Sequence, residues 1–301
     1  MSELQEEIDA ISFAEADEMS LSLGVGWRTF LACLAPLLPF AFMCAILPAA
    51  IIAGIPFDEI AVRHGLSDSD AISMQSGIES LIALPFLTIF AITAIVTSVR
   101  AIVGRRLGAL ADFKTAMRRL AAMIGTALFL FLVYFGAMFV AALVMAFLYK
   151  FGLEALSRVF KTFLYVVATA YFVKLSLVPC SVVIGGTCGT ASFAESANLV
   201  RGRWWITFAI LLVSSIISVM FYIPELAFGF AAECAIAFFD IHNYATRFLA
   251  YAVTIALGFA ATVFPVAVVS VLYLIRRKKL QQAYADGFSC DSEYSSDDSQ
   301  Y

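Results

Sequence analysis

The chain has 301 residues, of which 62% are hydrophobic and 14% are charged, and its formal net charge is −4 at pH 7. Soluble domains average about 45–50% apolar and about 25% charged residues. A single water-soluble core is therefore excluded as the place where this much apolar surface is buried, and the composition indicates an integral membrane protein.

The chain begins with an acidic segment, residues 1–28, that we expect to be cytoplasmic. Seven acidic side chains and no basic one precede Met19, which is the opposite of the basic start of a secretory signal. We therefore expect the first membrane span to serve as its own uncleaved insertion signal.

Six apolar runs follow, each long enough to cross the hydrocarbon core of a bilayer, which takes about 20 residues of helix. In lipid the backbone must satisfy its hydrogen bonds within the segment, so each run is predicted to be a helix. The sequence therefore predicts an all-α integral membrane protein with six transmembrane helices in three hairpins. The runs are residues 29–53, 80–99, 121–148, 162–184, 205–224 and 247–275.

The third run contains no proline but several small residues, which allow helices to approach closely in lipid. We expect this span to be central in the bundle. After the fifth run, Pro224–Phe239 fits two interpretations, an outer interfacial helix or a kinked continuation of the span. The small residues of the third run are Gly125, Gly136, Ala137, Ala141 and Ala142.

Lys and Arg are divided unevenly between the two sides of the membrane. The segments on the side of the termini hold 13 of them and the opposite loops hold 5, so the positive-inside rule predicts that both termini are cytoplasmic. The predicted organisation is the acidic segment 1–28, a membrane domain over 29–280, and an acidic, Ser-rich tail over 281–301 that we expect to be disordered.

Two polar stretches resemble each other, and each precedes an apolar run. Ser12–Phe30 and Ser192–Phe208 share Ser-Phe-Ala-Glu and Trp-x-Thr-Phe, and residues 104–120 before the third run are also amphipathic. We interpret the chain as three hairpin units, about 1–99, 100–185 and 186–280, with a cytoplasmic amphipathic helix before each odd-numbered span; chance similarity is the alternative. Parallel repeats occur in transporters and also in proteins that only duplicated a stable hairpin. The predicted membrane-interface anchors are Arg105, Arg106, Arg118, Arg119, Arg201, Arg203, Trp204 and Trp205.

Three stretches together carry a family resemblance: "GVGWRTFLACLAPLL", "ESANLVRGRWWITFAILL" and "VAVVSVLYLIRRKKL". Over most of residues 21–280 the chain resembles a broad group of poorly characterised six-helix bacterial inner-membrane proteins, which includes the membrane region fused to some glycerophosphodiester phosphodiesterases. The resemblance implies the six-helix fold and a bacterial inner membrane. It supplies no catalytic residues, and no phosphodiesterase domain is attached here, so that activity does not carry over.

Motifs for catalysis and metal binding are missing from the sequence. There is no HExxH and no Gly-rich phosphate-binding loop, the two histidines lie far apart in predicted outer loops, and the six cysteines form no CxxC. We therefore predict no catalytic residue, no metal and no cofactor. The clustered basic residues are explained by topology and anionic lipid headgroups, so membrane lipids are expected partners and nucleic acid is not.

Lys174 lies near the centre of the fourth run, with no acidic residue within 19 positions on either side. Intramembrane charges usually face a bundle interior or a wet cavity, although a long Lys stem can also reach the interface. One interpretation is that Lys174 snorkels. The other places it in an inward polar pocket that binds an anionic headgroup or substrate, and the candidate ligand-binding residues are then Lys174, Tyr171, Tyr134, Ser176 and Glu225.

The preferred function is a non-enzymatic inner-membrane protein that acts through lipids or partner proteins, as a membrane-homeostasis or accessory component. The alternative is a small transporter of a lipid or another amphiphile, with its path between the hairpin repeats. An intramembrane enzyme of unknown motif is a third, weaker option.

Overall fold

The computed structural model describes residues 18–65, 67–104, 109–238 and 244–294, and these residues form helices and short turns without a β-strand. Six helical segments are long and apolar enough to cross a membrane, which confirms the predicted all-α, six-span class. The segments are Glu18–Ala53, Ser69–Ile102, Ala111–Lys150, Ala155–Gly185, Trp204–Ala231 and Tyr244–Gln282.

Ten α-helices make up the described chain, and one turn of π-helix follows the sixth. They are α1 (Glu18–Ala53), α2 (Phe57–His64), α3 (Asp68–Ile102), α4 (Ala109–Lys150), α5 (Glu154–Leu175), α6 (Val178–Cys180, then the π-helical turn Ser181–Gly185), α7 (Thr190–Val200), α8 (Trp204–Phe238), α9 (Tyr244–Ala261) and α10 (Val263–Tyr294).

The spans are longer than the apolar runs because helices continue through polar flanks. α1 runs from Glu18 into the first span and α4 runs from Ala109 into the third, without a break. Of the three predicted amphipathic helices, only the one before the fifth span, α7, is a separate helix in the described chain. α8 continues through Pro224 to Phe238, which supports the interpretation of a continued fifth helix.

The prediction that the third span is central is wrong. Only 6% of the most apolar stretch of this span is buried, against 56% for the corresponding stretch of the last span and 50% for that of the second. All ten residues from 131 to 140 are exposed, and a Cβ on Gly125 or Gly136 would meet nothing within 4 Å. Small residues permit a second helix to pack closely, but they do not ensure that another helix of the same chain packs there.

The chain packs as two compact units. Unit 1 contains the residues up to Ser22, Arg119–Leu211 and the residues from Val269, whereas unit 2 contains Leu23–Arg118 and Leu212–Val268. These boundaries differ from the three hairpin units of the sequence, because each packing unit collects segments that are distant along the chain.

An aromatic cluster joins three helices inside unit 2. The ring centroid of Phe30 lies 4.9 Å from that of Phe221 and 5.7 Å from that of Phe264. Nearby, a Cβ on Gly26 would lie 2.7 Å from Val268 Cγ2, so a glycine is required where α1 and α10 meet. Burial of aromatic side chains of this size is a main source of packing energy.

The C-terminal end of the described chain differs from the sequence prediction. The sequence predicts disorder over 281–301, whereas α10 remains helical up to Tyr294; residues 295–301 lie outside the described residues. Residues 1–17, which carry the first copy of Ser-Phe-Ala-Glu, also lie outside the described residues.

Candidate functional site

A buried ion cluster in unit 1 joins the first helix to the last. One carboxylate oxygen of Glu18 accepts from Arg276 Nε at 2.5 Å, and the other accepts from Arg203 Nη1 at 2.5 Å. Arg276 Nη1 also donates to Thr207 Oγ1 at 2.6 Å and to the Leu199 carbonyl at 3.2 Å. Glu18 and Arg276 are only 5% and 4% exposed, whereas the Arg203 side chain is 46% exposed.

Local sequence explains how these groups meet. Glu18 lies in the first turn of α1, where the helix dipole favours a negative charge. Arg203 follows Gly202, whose φ of +75° forms the tight turn before α8. Arg276 directly follows the buried stretch Val271–Ile275 of α10. Its remaining nitrogen, Nη2, is buried and has no hydrogen-bond partner among the described residues.

A second polar cluster in unit 1 surrounds Glu195 of α7. Its carboxylate accepts from the Tyr273 hydroxyl at 2.7 Å and from Thr187 Oγ1 at 2.9 Å, and Arg277 Nε lies 4.0 Å away. A Cβ on Gly185 would lie 2.6 Å from the Tyr273 hydroxyl oxygen, so only glycine fits beside this bond.

Unit 2 contains a third such cluster at the turn between the second and third spans. Asp112 of α4 is fully buried, forms an ion pair with Arg100 at the end of α3, and accepts a hydrogen bond from Thr97 Oγ1 at 2.8 Å. In all three clusters a carboxylate binds groups on another helix, which is the arrangement of a structural contact between helices.

The structure places Lys174 on the exposed surface of α5, which differs from the inward orientation that one of its two interpretations requires. Its side chain is exposed, with Nζ 5.7 Å from the ring centroid of Tyr171, and the rings of Tyr171 and Tyr134 are 60% and 57% exposed. Ser176 Oγ donates to the Val173 carbonyl at 2.8 Å. Ligand binding by these residues stays a prediction.

The fifth candidate, Glu225, belongs to unit 2 and packs against α9. A Cβ on Gly258 would lie 2.9 Å from Glu225 Oε2, and this oxygen is buried without a hydrogen-bond partner among the described residues. The side chain as a whole is half-buried within a candidate span.

The predicted interface anchors have different environments. Arg118, Arg201 and Trp205 are exposed, as an anchor requires, whereas Arg119 stacks its guanidinium on Gly186 (φ +74°), 3.2 Å from the position of a Cβ there. Arg203 binds Glu18, and Trp204 Nε1 donates to the Ala170 carbonyl at 3.4 Å. Arg105 and Arg106 lie outside the described residues.

Comparisons with protein-family models, with curated proteins and with solved structures found no match. The resemblance to six-helix bacterial inner-membrane proteins therefore stays a prediction.

Sequence reasoning missed the polar clusters of unit 1. Glu18 was counted with the acidic segment, and Arg276 with the basic residues that set orientation. The available signal was position: Glu18 is the last acid before an apolar run, and Arg276 is the first base after one. Charges in membrane helices usually face the interior of a helix bundle, so the acid or base nearest to an apolar run is a candidate for burial against a neighbouring helix.

Proposed function

We propose that the protein is a non-enzymatic component of a bacterial inner membrane that acts through lateral contacts with lipids and partner proteins. The supporting observation is the third span, in α4, where Gly125 and Gly136 are exposed and face away from the rest of the protein. Small residues on a membrane helix allow the backbone of a second helix to approach. The three carboxylate clusters are compatible with this role, because they connect the helices that carry the surface.

The test uses Gly136→Leu, because a Cβ added at this position would meet no neighbouring atom within 4 Å. The variant should melt like the unmodified protein in detergent, yet lose the proteins that copurify with it from native membranes. Gly26→Ala is the control for indirect loss, because its Cβ would lie 2.7 Å from Val268 Cγ2 and should lower the melting temperature. If Gly136→Leu retains every copurifying protein, lateral contact through α4 is refuted.

The proposal places both termini in the cytoplasm, supported by the 13-to-5 division of Lys and Arg. In a cysteine-free background, Asn198→Cys at the exposed side of α7 should resist a membrane-impermeant thiol reagent added to intact cells. Phe151→Cys, exposed in the turn between α4 and α5, should react. The reverse pattern contradicts the orientation.

Glu225 favours a second candidate, transport of a lipid or another amphiphile. An ionisable side chain within a membrane span usually marks a transport pathway or a polar cavity, and one oxygen of this carboxylate has no partner among the described residues. A transporter should move a labelled amphiphile across proteoliposomes and lose that activity in Glu225→Gln. Equal movement by the protein and this variant excludes Glu225 from the pathway.

A further inference from the structure

The end of α5 that carries Lys174 lies beside α7 and the start of α8. Ser196 Oγ of α7 donates to the Lys174 carbonyl at 2.7 Å, and Trp204 Nε1 donates to the Ala170 carbonyl, one turn earlier in α5. Tryptophan is enriched at the level of the lipid headgroups. Trp204 begins the fifth candidate span, so these contacts put Lys174, in the last turn of α5, near the level at which that span begins, although the fourth candidate span continues to Gly185.

Two exposed cations at this end have no carboxylate partner among the described residues. They are Lys174 and Arg201, the residue that directly follows α7. Arg201 comes five residues after Ser196, the residue that contacts the Lys174 carbonyl. Five residues correspond to about 7.5 Å along a helix axis, so Arg201 lies near this end of α5. The neighbouring carboxylates of unit 1, Glu18 and Glu195, bind other groups in the structure.

Exposed aromatic rings accompany both cations. Tyr171 lies under the Lys174 ammonium, and Trp205 presents its ring outward beside the Trp204 ring, with 4.6 Å between their centroids. Rings of this kind prefer the boundary between acyl chains and headgroups. Free phosphate needs only cations, whereas a cation pair flanked by exposed rings matches a molecule with an anionic head and apolar tails.

We propose that Lys174 and Arg201, flanked by Tyr171 and Trp205, bind the headgroup of an anionic phospholipid on the outer surface of unit 1. The lipid phosphate is held between the two cations, and its acyl chains lie against the exposed face of α5, where Phe172 is also exposed. The site rests on the proposed function, since it specifies one lipid class among the lateral contacts.

The test measures binding of phosphatidylglycerol to the full chain in phosphatidylcholine nanodiscs, by native mass spectrometry and by lipid titration. Each of Lys174→Gln and Arg201→Gln should weaken binding about five-fold, the effect of one cation near an anionic surface. Lys161→Gln is the matched control: Lys161 is also exposed on α5 and lies 6.0 Å from the ring centroid of Tyr165, but it is 13 residues from Lys174. It should leave binding unchanged.

Three results overturn the proposal. Equal losses in Lys161→Gln and Lys174→Gln mean that only total charge matters. Competition by millimolar inorganic phosphate means that the site takes phosphate rather than a lipid. Unchanged binding in both site variants means that the headgroup is held elsewhere. None of these results alters the copurification pattern of Gly136→Leu, so the lipid site and the proposed function fail independently.

Discussion

The contacts of Glu18 predict that the two arginines that bind its carboxylate, Arg276 and Arg203, contribute differently to the stability of the protein. Replacing Arg276 by Met removes a guanidinium that is 4% exposed, whereas replacing Arg203 by Met removes one whose side chain is 46% exposed. Breaking a buried ion pair costs about 3–5 kcal/mol, because a charge remains buried without its partner. An exposed pair contributes only about 0–1 kcal/mol.

We therefore expect Glu18→Leu to lower the free energy of unfolding by about 3–5 kcal/mol, since it leaves Arg276 uncompensated. Arg276→Met should fall near the lower end of that range, because Glu18 keeps Arg203 as a partner. Arg203→Met should cost about 1 kcal/mol or less. The double variant Glu18→Leu/Arg276→Met should be more stable than the sum of the single effects predicts, by about 2 kcal/mol.

The assay is reversible unfolding in mixed micelles, followed by the fluorescence of the three tryptophans. Each variant is measured at low and high salt, because added salt screens an exposed pair much more than a buried one. The reasoning is refuted if Arg203→Met and Arg276→Met cost the same, or if the effects of Glu18→Leu and Arg276→Met are additive.

Three further substitutions test the other polar clusters by the same unfolding assay. Asp112→Asn keeps an acceptor for Thr97 but removes the charge paired with Arg100, and should cost about 1.5–3 kcal/mol; a neutral effect would mean that the pair is not formed. Tyr273→Phe removes the hydroxyl that binds Glu195 and should cost about 1.5–3 kcal/mol, against less than about 0.5 kcal/mol for Tyr134→Phe, whose ring is exposed; equal costs would contradict the Glu195 contact. Gly185→Ala should destabilise the protein through its clash with the Tyr273 hydroxyl, and Tyr273→Phe in the same chain should remove part of that cost; additive costs would place the strain elsewhere.

The six spans could be predicted from the sequence because the bilayer imposes a length and an apolar composition on every crossing helix. The ends of the helices could not be predicted in this way, because a helix continues beyond the apolar run wherever the local sequence allows it. α1 therefore begins at Glu18 rather than near residue 29, and α8 passes through Pro224.

Burial was not predictable from composition, as the third span illustrates. Gly125 and Gly136 indicate that a helix can be approached closely, but no property of α4 alone states whether the approaching helix belongs to the same chain. The last span is buried although its own sequence does not indicate this, because α10 packs with segments that are far away in sequence.

The apolar run 162–184 is not one continuous helix in the structure, and this break changes the local surroundings of Lys174. α5 ends at Leu175, and Pro179 lies in the first turn of the next short helix, where its missing N–H has no cost. Lys174 therefore occupies the last turn of α5, and a positive charge there is favoured by the helix dipole. Pro179 was the signal in the sequence for this break.

The polar segments before the odd-numbered spans have a common structural role that their amphipathic pattern does not reveal. Each supplies a carboxylate that binds the end of an even-numbered span: Glu18 binds Arg276, Asp112 binds Arg100, and Glu195 binds Tyr273. Each of these three carboxylates is engaged in a contact between helices. Residues that act on lipids or partners are therefore to be sought on the exposed surfaces, at Lys174, Arg201 and the glycines of α4.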